Sequence, residues 1–211
     1  MQRISALEEE IQLYKNELKD FTGKIQPDSI SIGIDRTNFQ YTQARVIQNQ
    51  VSRTDNYITL NKGSNHGITE DMAVVSVKGI VGVVMRVSPH YSRVIPVLNS
   101  GSHPSCMIKN SRFVGTLSWD GKDPRYISLD GLPSHASSTI GDTIITSGYS
   151  AFFPEGILVG VIEEAIKHKN KEHNSVKVRL FSDFSTLSEV LIIKNPLREE
   201  LLQIEKGVSE K

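Results

Sequence analysis

Two hydrophobic periods divide this chain. From Ile4 the apolar positions fall at Ile4, Leu7, Ile11, Tyr14, Leu18 and Phe21, spaced alternately three and four residues apart. That spacing is the a/d seam of a coiled coil. Arg3 with Glu8 and Glu10 with Lys15 take g and following e positions, so each pair is opposite in sign across a parallel, in-register dimer. Ile at a positions and Leu at the first d favour two strands. An amphipathic helix lying on its own β domain is the other reading of the same stripe. Gly23 and then Pro27 end the helix, which sets the expected coiled coil at residues 1–23. Residues 24–40, rich in Pro, Ser, Gly, Asn and Gln, read as a linker with one short strand at Ser29–Ile34.

Beyond residue 40 the helical period gives way to short runs of Val, Ile, Thr, Tyr and Phe broken by Gly, Asn, Asp, Ser and Pro. This is an all-β pattern. It predicts strands at 41–48, 57–60, 73–77, 80–87, 92–97, 105–108, 113–118, 125–129, 143–146, 158–166, 176–181 and 187–193. Part of the chain is also written twice. Tyr57-Ile-Thr-Leu-Asn61 returns as Tyr126-Ile-Ser-Leu-Asp130, and Asp71-Met-Ala-Val-Val-Ser76 as Asp142-Thr-Ile-Ile-Thr-Ser147. Gly79–Val84 returns as Gly156–Ile162, and His90-Tyr-Ser-Arg-Val94 as Asp183-Phe-Ser-Thr-Leu187. Ordered matches of this kind indicate tandem related modules. Six short antiparallel strands suit a small closed barrel, since closure removes exposed edges. The expected fold is therefore mainly β: two six-stranded antiparallel barrels behind a coiled-coil helix. The simplest division is contiguous, with residues 41–110 in the first barrel and 111–194 in the second; exchange of strands between them is the alternative. The tail 195–211 places Leu197, Leu201, Leu202 and Ile204 on one face of a short helix.

Composition narrows the function classes. Twenty-four basic residues balance twenty-four acidic ones, so no global field recruits nucleic acid. Cys106, the one cysteine, excludes an intrachain disulfide and sits in an apolar run where a small buried side chain is ordinary. A two-barrel β chain invites a test for a serine-hydrolase triad. No serine stands in a Gly-x-Ser-x-Gly elbow, and Gly148-Tyr-Ser-Ala-Phe152 lacks the second glycine. His66, His90, His103 and His135 lie beside turn-forming residues, and His168 and His173 in a charged hairpin around Lys167-His-Lys-Asn-Lys171. His103 and Cys106 have no second ligand pair, and no phosphate-binding glycine loop is present. No catalytic residue, cofactor or metal is expected. Trp119, beside the Asp120-Gly121 turn, and Phe152 and Phe153, in a connection between strands, are candidate partner contacts.

The ordered set Leu60-Asn-Lys-Gly-Ser64 with Gly67-Ile68, Asp71-Met72, Val74-Val-Ser76, Gly79-Ile-Val-Gly82, Thr146-Ser-Gly148, Phe153-Pro-Glu-Gly-Ile157 and Val159-Gly160 resembles the MreC family of bacterial rod-shape-determining proteins. The likeness covers roughly residues 40–193. It implies a non-enzymatic scaffold of the cell-wall elongation machinery on the periplasmic face of the inner membrane. A single-pass anchor is then expected upstream of Met1. Self-association and partnership with MreD, the MreB cytoskeleton, RodA and a class B penicillin-binding protein are implied likewise. A serine hydrolase on a chymotrypsin-like pair of barrels and a peptidoglycan-binding module are the rival expectations.

Overall fold

The computed structural model describes residues 39–51, 53–149, 152–166 and 173–195. The expected coiled-coil helix with its whole seam, the short strand at Ser29–Ile34, the basic run from Lys167 and the tail beyond Asn195 lie outside the described residues. Twelve strands form where β-branched and aromatic residues cluster: β1 (Gln40–Gln50), β2 (Tyr57–Leu60), β3 (Ala73–Ser76), β4 (Gly79–Val87), β5 (Ser92–Pro96), β6 (Ser105–Ile108), β7 (Val114–Ser118), β8 (Tyr126–Pro133), β9 (Thr143–Thr146), β10 (Leu158–Ile166), β11 (His173–Leu180) and β12 (Glu189–Lys194). His173 and Asn174, expected in a hairpin tip, already pair with Pro133 and Leu132 at the start of β11.

The strands close into two antiparallel barrels, in the orders β1-β12-β3-β4-β5-β2 and β10-β11-β8-β7-β6-β9. This corrects the contiguous division at residues 110 and 111. β6, expected in the first barrel, closes the second, and β12, expected in the second, closes the first. The repeat makes the exchange reciprocal. β12 lies between β1 and β3, and β6 between the equivalent strands β7 and β9. Val190-Leu-Ile192 on β12 matches Cys106-Met-Ile108 on β6 by register, and all six residues are buried. The two strands share this three-residue buried run, and β12 buries Ile193 in addition.

Three of the four repeated segments occupy equivalent strands, and two details change. Asp71, at φ 67°, matches Gly141, at φ 96°, because their N–H groups donate to the equivalent carbonyls of Val84 and Ile162. Asp71 therefore does not pair with Asp142: the register is one residue out, since aspartate is among the few residues besides glycine that tolerate this left-handed geometry. The fourth match fails. The equivalent of β5 is β11, with Val94 opposite Ile58 and Val178 opposite Ile127, whereas 183–187 is the connection leading to β12. Gly82 and Gly160 confirm the new alignment. A Cβ on either would stand 2.1 or 2.2 Å from the carbonyl oxygen of an equivalent neighbour, Ile95 or Arg179.

Burial alternates along β2, β5 and β7, with one face inward and one to solvent. It is continuous over Ala73–Ser76 on β3, Val190–Ile193 on β12, Cys106–Ile108 on β6 and Ile144–Thr146 on β9. Such strands are covered on both faces. The barrels meet at β4 and β10, where Gly79, at φ 147°, approaches Leu158 so closely that a Cβ would lie 2.2 Å from its carbonyl oxygen. Ser76 Oγ and Ser182 Oγ, both buried, are joined across the barrels at 2.9 Å.

The two crossovers are held by the barrel they leave or enter. After β5, Asn56 and Asn99, both buried, each donate a side-chain N–H, to the carbonyls of Leu98 (2.7 Å) and Asn56 (2.8 Å). Before β12, Asn49 Nδ2 donates to the carbonyl of buried Phe184 (2.5 Å), and Val46 N–H to that of Ser188 (2.8 Å). Asp183 shapes this second crossover: Oδ1 accepts from Ser185 Oγ (2.6 Å) and Ser185 N–H (2.9 Å), and Oδ2 from Thr186 Oγ1 (3.0 Å). These bonds, the Ser185 hydroxyl first, hold the Asp183 carboxyl below its ordinary range. A carboxyl depressed in the fold binds its proton less readily there than in the unfolded chain. Its stabilisation is present above the ordinary value of ~3.9 and is lost as pH falls through that value towards the folded one. Asp183→Asn is expected to lower the urea midpoint at pH 7 and to converge on the parent below about pH 4. A gap that stays constant with pH would show that the ionised carboxylate contributes nothing.

Candidate functional site: the cleft between the barrels

Of the three aromatic contacts expected, the structure leaves one at the surface. Trp119 is 6% exposed and donates its indole Nε1–H to the carbonyl of Asp123 (3.2 Å), within the β7–β8 connection. Phe153 is 3% exposed and Phe152 is 39% exposed. The Trp119 indole packs its own hairpin, whereas Phe153, although almost wholly buried, reaches the cleft beside Phe152.

Phe152 and Phe153 line a cleft of about 290 Å³ between the barrels. Val83, Met85 and Ile95 form its wall on the first barrel, and His103 and Pro104, leading into β6, complete it. The apolar wall follows from the register: Val83 and Ile95 are directly opposed on β4 and β5, with half-buried side chains on the outer face. A small, open, mostly apolar recess with an exposed aromatic at its rim is suited to accept a partner's apolar side chain. Tyr149, 78% exposed on the same connection between β9 and β10 as Phe152, is a surface aromatic that sequence reasoning did not single out. Arg112 ties the turn after β6 to this connection through Glu155 (2.7 Å). Both groups are largely exposed, so the pair contributes little to stability.

Among the described residues the histidines and serines that form hydrogen bonds do so within the turns, strands and connections of the barrels. His66 Nδ1 accepts from the N–H of Gly63 (3.3 Å), His103 Nδ1 faces the carbonyl of Leu117 (3.3 Å), and the His135 ring packs edge-on against Phe113. Ser147 Oγ, immediately after β9, bonds to the carbonyl and hydroxyl of Ser105, tying the end of β9 to β6. Cys106 is buried, which pushes its thiol far up and disfavours the thiolate. Among the described residues no cluster of His, Cys, Asp and Glu has the composition of a metal site, and no helix is long and apolar enough to cross a membrane.

A model of the barrel core of the rod shape-determining protein MreC matches residues 46–194, which is all of both barrels except the start of β1. The chain belongs to the MreC family. The cell shape-determining protein MreC of Listeria monocytogenes is 25% identical over 199 residues, 92% of this chain and 65% of that protein. The chain thus spans just under two thirds of this relative's length. The solved Listeria MreC superposes with a TM-score of 0.69 at 23% identity, covering 92% of this chain and 91% of that one. The major periplasmic domain of the cell shape-determining filament MreC gives 0.64 at 21%, over 74% and 96% of the two chains. The MreC of Helicobacter pylori, solved in complex with the penicillin-binding protein PBP2, gives 0.60 at 18%, over 75% and 99%. At these identities the solved MreC structures speak for the fold.

Proposed function

We propose that this chain is a non-catalytic scaffold of the bacterial cell-wall elongation machinery, acting on the periplasmic face of the inner membrane to maintain cell shape. The family match across both barrels carries the reading, and a member with the same fold forms a complex with PBP2. A class B penicillin-binding protein is accordingly the first partner proposed. The cleft beside Phe152 supports the assignment, because it offers an exposed aromatic and an apolar recess where an apolar anchor from a partner can be desolvated. The heptad seam from Ile4 to Phe21 supports a parallel homodimer. MreD, the MreB cytoskeleton and RodA, together with a membrane anchor upstream of Met1, belong to the same proposal through the family.

The test is capture. The chain, immobilised and exposed to a detergent extract of membranes from its source, is expected to retain a band that fluorescent penicillin labels and mass spectrometry identifies as a class B enzyme. Failure to retain such a band, with stoichiometric labelling of the chain by a fluorophosphonate that denaturation abolishes, would replace the scaffold with a hydrolase.

A further inference from the structure

We infer that the outer wall of the first barrel carries a second binding site, distinct from the cleft, for a carboxylate-rich segment of a protein partner. The site centres on Arg86 and Arg93, which stand directly opposite one another on β4 and β5. Like charges in that relation repel and weaken a sheet. Both side chains are exposed, and no carboxylate among the described residues pairs with either. The row continues across the wall, with Thr59 opposite Arg93 and Gln48 opposite Thr59. These residues line a groove of about 420 Å³.

Two features make the row a site rather than an accident of surface charge. The Arg93 guanidinium lies 4.1 Å from the centroid of the Tyr57 ring, so stacking holds its fork in place before a ligand arrives. Tyr91, 52% exposed, stands at the rim. Two guanidiniums present forks that match carboxylate oxygens two at a time. Arg and Tyr are the residues that dominate protein–protein hot spots, and the amides of Gln48 and Gln50 can both donate to and accept from a peptide backbone. That combination favours an acidic peptide over a free anion or a sugar chain. The barrel has no open edge, so the segment lies across the wall rather than adding a strand. The inference stands apart from the proposed function, since its failure would leave the Phe152 cleft untouched.

Fluorescence anisotropy of a fluorescein-labelled hexaglutamate peptide with the whole 211-residue chain tests the site. Arg86→Gln combined with Arg93→Gln is expected to weaken binding at least tenfold, whereas Lys62→Gln with Lys109→Gln changes it less than twofold. Arg86→Lys with Arg93→Lys keeps the charge but loses the fork, and is expected to fall between. Arg86→Gln alone retains the Arg93–Tyr57 stack and relieves the opposed charges, so its melting temperature is expected to equal or exceed the parent's. Absence of peptide binding, or equal affinity in the double Gln variant, would overturn the site. Peptide-free glycan strands that bind through the same two arginines where hexaglutamate does not would overturn the acidic-peptide assignment and put a carbohydrate in its place.

Discussion

Truncation after Ser188, which removes β12 and the tail, is expected to unfold the first barrel although every strand from β1 to β5 is still present. β12 buries Val190, Leu191, Ile192 and Ile193. At about 1.5–3 kcal/mol for each buried aliphatic side chain, that is roughly 6–12 kcal/mol of burial. Typical domains have a net stability of about 5–15 kcal/mol, so the first barrel cannot absorb the loss. Two rows of backbone hydrogen bonds, to β1 and β3, go with it. Amide hydrogen exchange should show protection lost over residues 40–96 while the second barrel, closed by β6, keeps its own. Ile108→Asp should do the reverse, because a charge buried in β6 strikes the second barrel from within the segment a contiguous division gives to the first. A contiguous arrangement predicts the opposite assignment in both experiments.

Gly79→Ala is the second large effect. The added methyl would stand 2.2 Å from the Leu158 carbonyl oxygen, where the two barrels touch, in a residue whose φ of 147° no other side chain adopts without strain. Backbone strain of about 1–3 kcal/mol adds to an overpacking cost of about 1–3 kcal/mol. A loss of roughly 2–6 kcal/mol in urea denaturation is expected. Gly131→Ala separates the two causes: Gly131 has φ 79°, but a Cβ there meets nothing within 4 Å. It should cost only the strain. Equal losses at the two positions would mean that the contact with Leu158 contributes nothing.

Strand positions were legible because each strand writes its burial into a local pattern of β-branched residues. Which barrel a strand joins was not, since Cys106-Met-Ile108 and Val190-Leu-Ile192 present the same buried faces and differ only in the crossovers that deliver them. Those crossovers are fixed by long-range bonds such as Asn49 to Phe184 and Asn56 to Leu98, which no local pattern announces. The site divides in the same way. Phe152 and Phe153 are neighbours of one residue type, yet one is exposed and the other buried; only the turn between β9 and β10 decides which. Arg86 and Arg93 face each other only because a hairpin and a bulge between Val84 and Arg86 set the register. The ordered glycines and turn residues, in contrast, carried the family likeness from the sequence alone.

The most direct measurement of the proposed scaffold function is the affinity of this chain for the purified periplasmic portion of a class B penicillin-binding protein from the same source, with and without Phe152→Asp. A partner surface at the cleft predicts saturable binding by the parent and at least tenfold weaker binding by the variant, about 1.4 kcal/mol or more, with unchanged thermal stability because Phe152 is exposed. Equal affinities, or no binding by the parent, would contradict it.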